Sequence, residues 1–143
     1  MVDTPLAAGA ALIRVSTAVG ERVLEARAES GCTALQLQAL RVARLGPTMT
    51  GVATRLGVTK STATSVIDQL VSAGLVVRKV DLRDRRRQAV WPTEEGDELL
   101  DRFDSRVRQS VHEIVDGLSA RRRKRLRELL AGIPDPTGLL PLA

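Results

Sequence analysis

Four glycine stops most constrain this chain: Gly31, Gly46 with Pro47 behind it, Gly57 and Gly74. Glycine and proline punctuate local structure, so the first half must fold as short, separately capped elements. Between the stops, apolar residues recur at three- and four-residue steps, the helical period. Leu12, Val15, Val19, Val23 and Ala26 predict a helix over 5–29, with Gly31 at its C-terminal cap. Thr33 caps a second helix over 33–45, with Leu35, Leu37, Leu40 and Val42 as its apolar bulk. A short helix over 50–56, with Thr50 as its cap, ends at Gly57. Thr59 opens a fourth helix over 60–73, whose Ala63, Val66, Ile67, Leu70 and Ala73 share one face.

Two helices separated by one tight glycine turn, with the small Ala53 and Ala63 where they cross, form a helix-turn-helix pattern. Small side chains suit a crossing at which two helices approach closely. Residues 75–80, LVVRKV, and 88–91 are β-branched or apolar, and a polar, charged segment joins them. This predicts a hairpin with a basic tip, and Pro92 limits its second strand. Thr93 caps a long helix to about 117, whose first turns carry Glu94, Glu95, Asp97 and Glu98 against the helix dipole. Its stripe runs Leu99/Leu100, Phe103, Val107, Val111, Ile114/Val115 and Leu118. Ser119 caps a last helix over 120–132, with Leu126, Leu129 and Leu130 inward, and the proline-containing tail from Ile133 is expected to be extended. The predicted class is mainly α with a small β-hairpin wing.

Composition removes several functions. The 143 residues suit one domain. Cys32 is the single cysteine and His112 the single histidine, which excludes an intrachain disulfide and leaves no metal or other cofactor expected. No tyrosine, one tryptophan and one phenylalanine leave no platform for stacking RNA bases. The apolar run over 5–13 ends at Arg14, too short to span a bilayer, and lacks the basic start of a secretory signal. No membrane association and a cytoplasmic location are expected. Paired carboxylates, a nucleophile with its base and a phosphate-binding glycine loop are all missing from the sequence pattern, so an enzyme is not expected.

Charge is concentrated. Residues 48–92 hold eight bases (Arg55, Lys60, Arg78, Lys79, Arg83, Arg85, Arg86 and Arg87) against Asp68, Asp81 and Asp84, and carry the entire net charge of +5. A basic block on an otherwise neutral chain is the electrostatic footprint of a polyanion contact, although a solvated basic hairpin is the plainer alternative. Arginine outnumbers lysine 19 to 3, which suits phosphate and guanine recognition but equally fits a GC-rich genome.

The order helix, helix, helix-turn-helix, basic hairpin, long helix, short helix, with Asp81-x-Arg83-Asp84-Arg85-Arg86 following Gly74-Leu75-Val76, resembles the MarR (multiple antibiotic resistance regulator) family of winged helix-turn-helix transcription factors. The stretch from Thr59 to Leu70 is similar to that family's recognition helix. The resemblance implies one domain over 1–143. Residues 34–92 would be the DNA-binding lobe, and 1–33 with 93–143 a helical dimerisation region. It further implies a homodimer that binds double-stranded DNA at a pseudo-palindromic operator and represses in response to a ligand. With few aromatics, that effector would be small and apolar or amphipathic. The stripe over 99–118 and the tail leucines agree with a dimer, because a lone lobe cannot cover them.

On this reading Thr59, Lys60, Ser61, Thr62, Thr64, Ser65 and Gln69 face DNA, with Gln69 suited to adenine edges. The plainer alternative has Thr59 only capping and Thr64 only facing solvent. Arg83, Arg85 and Arg86 form the wing's contact, and Arg86 corresponds to the family's wing arginine, which enters the minor groove or pairs with an acid on the recognition helix. Asp68 is the matching acid, while Asp81 and Asp84 would brace Arg83 and Arg85. Pro92, Leu82 and Arg87 depart from the family pattern at the hairpin, as does the run Arg121-Arg122-Arg123-Lys124-Arg125 in the last helix. Two other readings compete: a winged helix used for protein assembly, which predicts a wing that is not basic, and a regulator of the same fold that senses oxidants through Cys32.

Overall fold

The computed structural model describes residues 5–80 and 84–132. Within them the order is α1 (Pro5–Ser30), α2 (Ala34–Ala43), α3 (Met49–Leu56), α4 (Lys60–Ser72), β1 (Val76–Val80), β2 (Gln88–Pro92), α5 (Glu94–Asp116) and α6 (Ala120–Leu130). The mainly helical class with a single small hairpin is what the sequence pattern predicts. The tail from 133, and the tip residues Asp81, Leu82 and Arg83, lie outside the described residues.

Local chemistry sets most boundaries. The Thr33 side chain accepts from the Gln36 N–H (3.2 Å), and the Thr33 N–H donates back to Gln36 Oε1 (2.8 Å), a reciprocal capping box. Thr59 caps α4 and Ser119 caps α6 in the same way, each accepting from the N–H three residues on. Thr93 opens α5 by accepting from the Gly96 N–H (3.1 Å) while its hydroxyl donates to the Gly74 carbonyl (2.6 Å). One cap differs from expectation. Thr48, not Thr50, caps α3, accepting from the Gly51 N–H at 3.3 Å. The loop before α3 is held extended by a bridge from Thr48 to Ala89 and by Val90 N–H donating to the Pro47 carbonyl (2.9 Å). Thr50 therefore falls inside the first turn.

The hairpin is antiparallel, with Val76 opposite Pro92 and Val80 opposite Gln88. Pro92 takes the last position of β2, where its missing N–H does least harm. Two close approaches exclude side chains. Gly46 has φ +61°, and a Cβ there would enter the indole ring of Trp91. At Gly96 a Cβ would collide with the Leu75 carbonyl oxygen and lie 3.1 Å from Leu40 Cδ1.

The described chain divides into two compact units. In residues 23–106 a continuous core buries Leu40, Val42, Val52, Ile67, Leu70, Val76, Val90 and Leu100. Two arginines of the α2 end tie α5 to this core: Arg41 pairs with Asp104, and Arg44 pairs with Asp97 and Asp101, both at 2.7 Å.

In the second unit, described over residues 5–22 and 107–132, burial is sparse. The α5 stripe continues through Val107, Val111, Ile114, Val115 and Leu118, all half-buried. The last helix departs from expectation: Leu126 is half-buried, but Leu129 (59% exposed) and Leu130 (43%) face outward, because nothing described in the chain covers them. On α1, Leu12 and Val15 are likewise half-exposed, whereas Ala26 near its end is buried. No helix among the described residues is long and apolar enough to cross a membrane.

Candidate nucleic-acid interface

The amphipathic pattern of α4 divides its two jobs. Ala63, Val66, Ile67 and Leu70 are buried against the lobe. The opposite side lines a shallow open groove with Lys60, Ser61, Thr64, Ser65, Asp68, Gln69 and Ser72. Six of the seven expected contact residues fall on or beside this face, and the seventh, Thr59, sits at its start. Their free bonding capacity differs. Thr59 accepts from Thr62 N–H (3.1 Å), and the two hydroxyls bond each other at 2.9 Å, so both serve the cap. The Thr64 hydroxyl donates back to the Lys60 carbonyl (2.8 Å). Ser61 and Ser65 are exposed, and no acid stands in the first turn. The positive end of the helix dipole is therefore left for an outside anion.

A second groove brings together the start of α3 and the return of the hairpin: Thr48, Thr50, Thr54, Arg55, Arg86, Arg87 and Gln88. Arg55 and Arg87 are absent from the expected contact set. Their signal in the sequence is the charge count alone, because nothing local tells that the α3 end meets the hairpin.

Ion pairing at the wing corrects two expectations. Asp68 pairs with Arg78 on β1 (2.5 Å) rather than with Arg86. The turn at Gly74 folds β1 directly back beside α4, which puts Arg78 within reach, while Arg86 lines the other groove. Asp84 braces the hairpin turn instead of Arg85. Its Oδ1 accepts from the Arg86 N–H (3.0 Å), its Oδ2 meets Arg87 Nε (3.4 Å), and its carbonyl accepts from the Arg87 N–H (2.9 Å). That carboxylate closes a turn on itself, three residues apart, so it reaches Arg87. Arg85 is exposed at the tip; Asp81 and Arg83, expected as brace and contact, lie outside the described residues.

Comparison with known proteins agrees with this architecture. Residues 23–87 match the family model described as the MarR family. A transcriptional regulator of the MarR family from Rhodococcus sp. RHA1 is 28% identical, with a TM-score of 0.62 over 92% of this chain and 96% of that one. Over residues 23–87 the chain is thus similar to the MarR family. RV1404 from Mycobacterium tuberculosis shares the MarR-like fold seen here, with a TM-score of 0.81 at 21% identity over 92% of each chain. A MepR mutant from S. aureus, solved bound to an oligodeoxyribonucleotide, matches with a TM-score of 0.72 at 21% identity, covering 86% of this chain and 92% of that one. In the terms of that fold, α3 and α4 are the helix-turn-helix and β1 with β2 the wing. Cys32 sits between α1 and α2, half-buried, and burial pushes its thiol above the ordinary range.

Proposed function

We propose that this protein is a sequence-specific, double-stranded-DNA-binding repressor that acts as a homodimer and responds to a ligand. The observation that carries the reading is the pairing on one lobe of a hydroxyl-lined α4 face, whose first turn holds no acid, with a groove holding Arg55, Arg86 and Arg87. Groove-facing hydroxyls and amides read bases, and arginines outside them hold phosphates. The oligodeoxyribonucleotide in the MepR relative supports the same partner.

In this mechanism Lys60, Ser61, Thr62, Thr64, Ser65 and Gln69 enter a major groove, with Thr59 holding the helix start. Arg83, Arg85 and Arg86 on the wing grip the adjacent backbone or minor groove. Asp68 holds Arg78, and Asp84, with Asp81, shapes the tip. Residues 34–92 act as the reading lobe; 1–33 and 93–143 assemble the dimer. Support for the dimer is the outward leucine surface of α1 and α6, which water would otherwise cover. Half-sites in adjacent grooves stand about 34 Å apart. An apolar or amphipathic ligand that changes the distance between the two recognition helices thereby weakens binding. Burial of the Cys32 thiol opposes thiolate formation and so disfavours the oxidant-sensing alternative.

The test is titration with duplexes selected from random sequence. A two-fold symmetric site of roughly 16–20 base pairs is expected from half-sites one helical turn apart. Each neutralised phosphate contributes about −0.9 to the log–log salt slope, so a slope shallower than about −2 overturns specific duplex binding. Arg86→Ala is expected to abolish operator binding while leaving a folded dimer; unchanged affinity removes the wing from the mechanism.

A further inference from the structure

Within the DNA-binding reading, we infer that Gln36, at the start of α2, is a positioning residue that fixes the side-chain amide of Gln69 for an A·T base pair. The two residues stand 33 positions apart, and Gln36 Nε2 donates to Gln69 Oε1 at 3.0 Å. The orientation of this bond is dictated by chemistry. Gln36 Oε1 accepts the Thr33 N–H of the capping box (2.8 Å), and a backbone N–H requires an oxygen. The other end of the Gln36 amide, its nitrogen, is therefore what meets Gln69. Gln69 must answer with its oxygen. One capping hydrogen bond on α2 thus sets the rotation of an amide on the recognition helix.

The amide so fixed keeps both Nε2 hydrogens and the second lone pair of Oε1. A donor and an acceptor side by side match N7 and N6 of adenine in the major groove. Placement fits. Ser61, Ser65 and Gln69 follow one another at four-residue steps along the exposed face of α4. Two small serines let the helix approach closely, and the longer glutamine extends furthest from it. A side chain already held by a neighbour loses less rotamer freedom on docking, so the contact contributes more to discrimination.

Gln36→Glu isolates the role. The substituted carboxylate still accepts the Thr33 N–H, so the cap survives, but it cannot donate to Gln69 Oε1. It turns the Gln69 amide over and exchanges donor for acceptor. The experiment is selection of bound duplexes from a random library, with the full chain, for the wild type, Gln36→Glu, Gln69→Ala and the double variant, alongside thermal melts. The wild type is expected to prefer A·T at one position in each half-site. Both single variants flatten or reverse that same position, on the order of tenfold in discrimination. The double variant behaves as Gln69→Ala alone, and the Gln36→Glu melt stays at the wild-type temperature. Retention of the preference in Gln36→Glu when Gln69→Ala has lost it overturns the inference, as does an even loss of affinity across all sequences in Gln69→Ala. A wild type that selects an operator while both variants keep every preference overturns the inference and spares the DNA-binding reading. A wild type that binds no duplex overturns that reading itself.

Discussion

The lobe formed by residues 23–106 and the helical unit described over 5–22 and 107–132 use the same kinds of residue in opposite ways. In the lobe, Leu37, Leu40, Val52, Leu70, Val90 and Leu100 vanish into a shared core, and several cations are matched: Arg41 with Asp104, Arg44 with Asp97 and Asp101, Arg78 with Asp68. In the helical unit no residue of α6 is buried. Its six cations meet one acid on the same helix, Glu128, which pairs with Arg125 at 3.6 Å, and Arg123 reaches Asp116 on α5 at 3.4 Å. Arg121, Arg122 and Arg123 occupy its first turn, at the helix end where the dipole disfavours them. The lobe therefore derives its stability from its own chain, whereas the helical unit leaves apolar surface that needs another surface to cover it.

The contrast breaks first at the lobe's tightest point. Gly96→Ala forces α5 away from the Leu75 carbonyl and is expected to cost about 3 kcal/mol or more, at the upper end of overpacking. Denaturant unfolding measures it, and a loss under about 1 kcal/mol shows that the junction can yield. Leu100→Ala, at a position with no exposure, should cost about 2–5 kcal/mol at every protein concentration. Leu129→Ala, at a half-exposed position, should behave differently: little change in a dilute monomer, but a weaker dimer by sedimentation. Equal effects of the two leucine changes, both independent of concentration, would erase the distinction between the units. At Asp68, the pair with Arg78 is exposed, so Asp68→Asn should change stability by less than about 1 kcal/mol while altering DNA affinity. The smallest effect concerns Cys32. Its raised thiol predicts alkylation at neutral pH slower than that of an unhindered thiol, with the rate climbing as pH rises toward the displaced value. Fast labelling at pH 7 would place the thiol in a more polar setting than its burial implies.

What the sequence discloses follows the range of the forces involved. Thr33, Thr59, Thr93 and Ser119 are legible as caps because each bonds an N–H three residues away. Thr48 and Thr50 cannot be separated on local grounds; the choice is made by the pairing of Pro47 with Val90 and of Thr48 with Ala89, which forms only with the hairpin. The exposed polar face of α4 is visible from helical periodicity, since burial of Ala63, Val66, Ile67 and Leu70 fixes the other side. The partner of Asp68 is not visible, because Arg78 and Arg86 are both basic and only the turn at Gly74, which lays β1 beside α4, decides between them. The Gln36–Gln69 bond joins two uncharged polar residues through space and leaves no periodic trace. The leucines of α6 have a helical period that predicts an inward face, but periodicity cannot tell whether anything covers that face, and Leu129 and Leu130 stand exposed.

The packing of Trp91 over Gly46 also gives the protein a built-in optical reporter. The chain has one tryptophan and no tyrosine, so near-ultraviolet emission arises almost wholly from a single indole. That indole is 40% exposed, stands in the second wing strand, and rests on the loop that leads into α3. Any shift of the loop against the strand changes the ring's contact with water and so the colour of the emitted light. Wing movement can thus be followed in the unlabelled, unaltered protein.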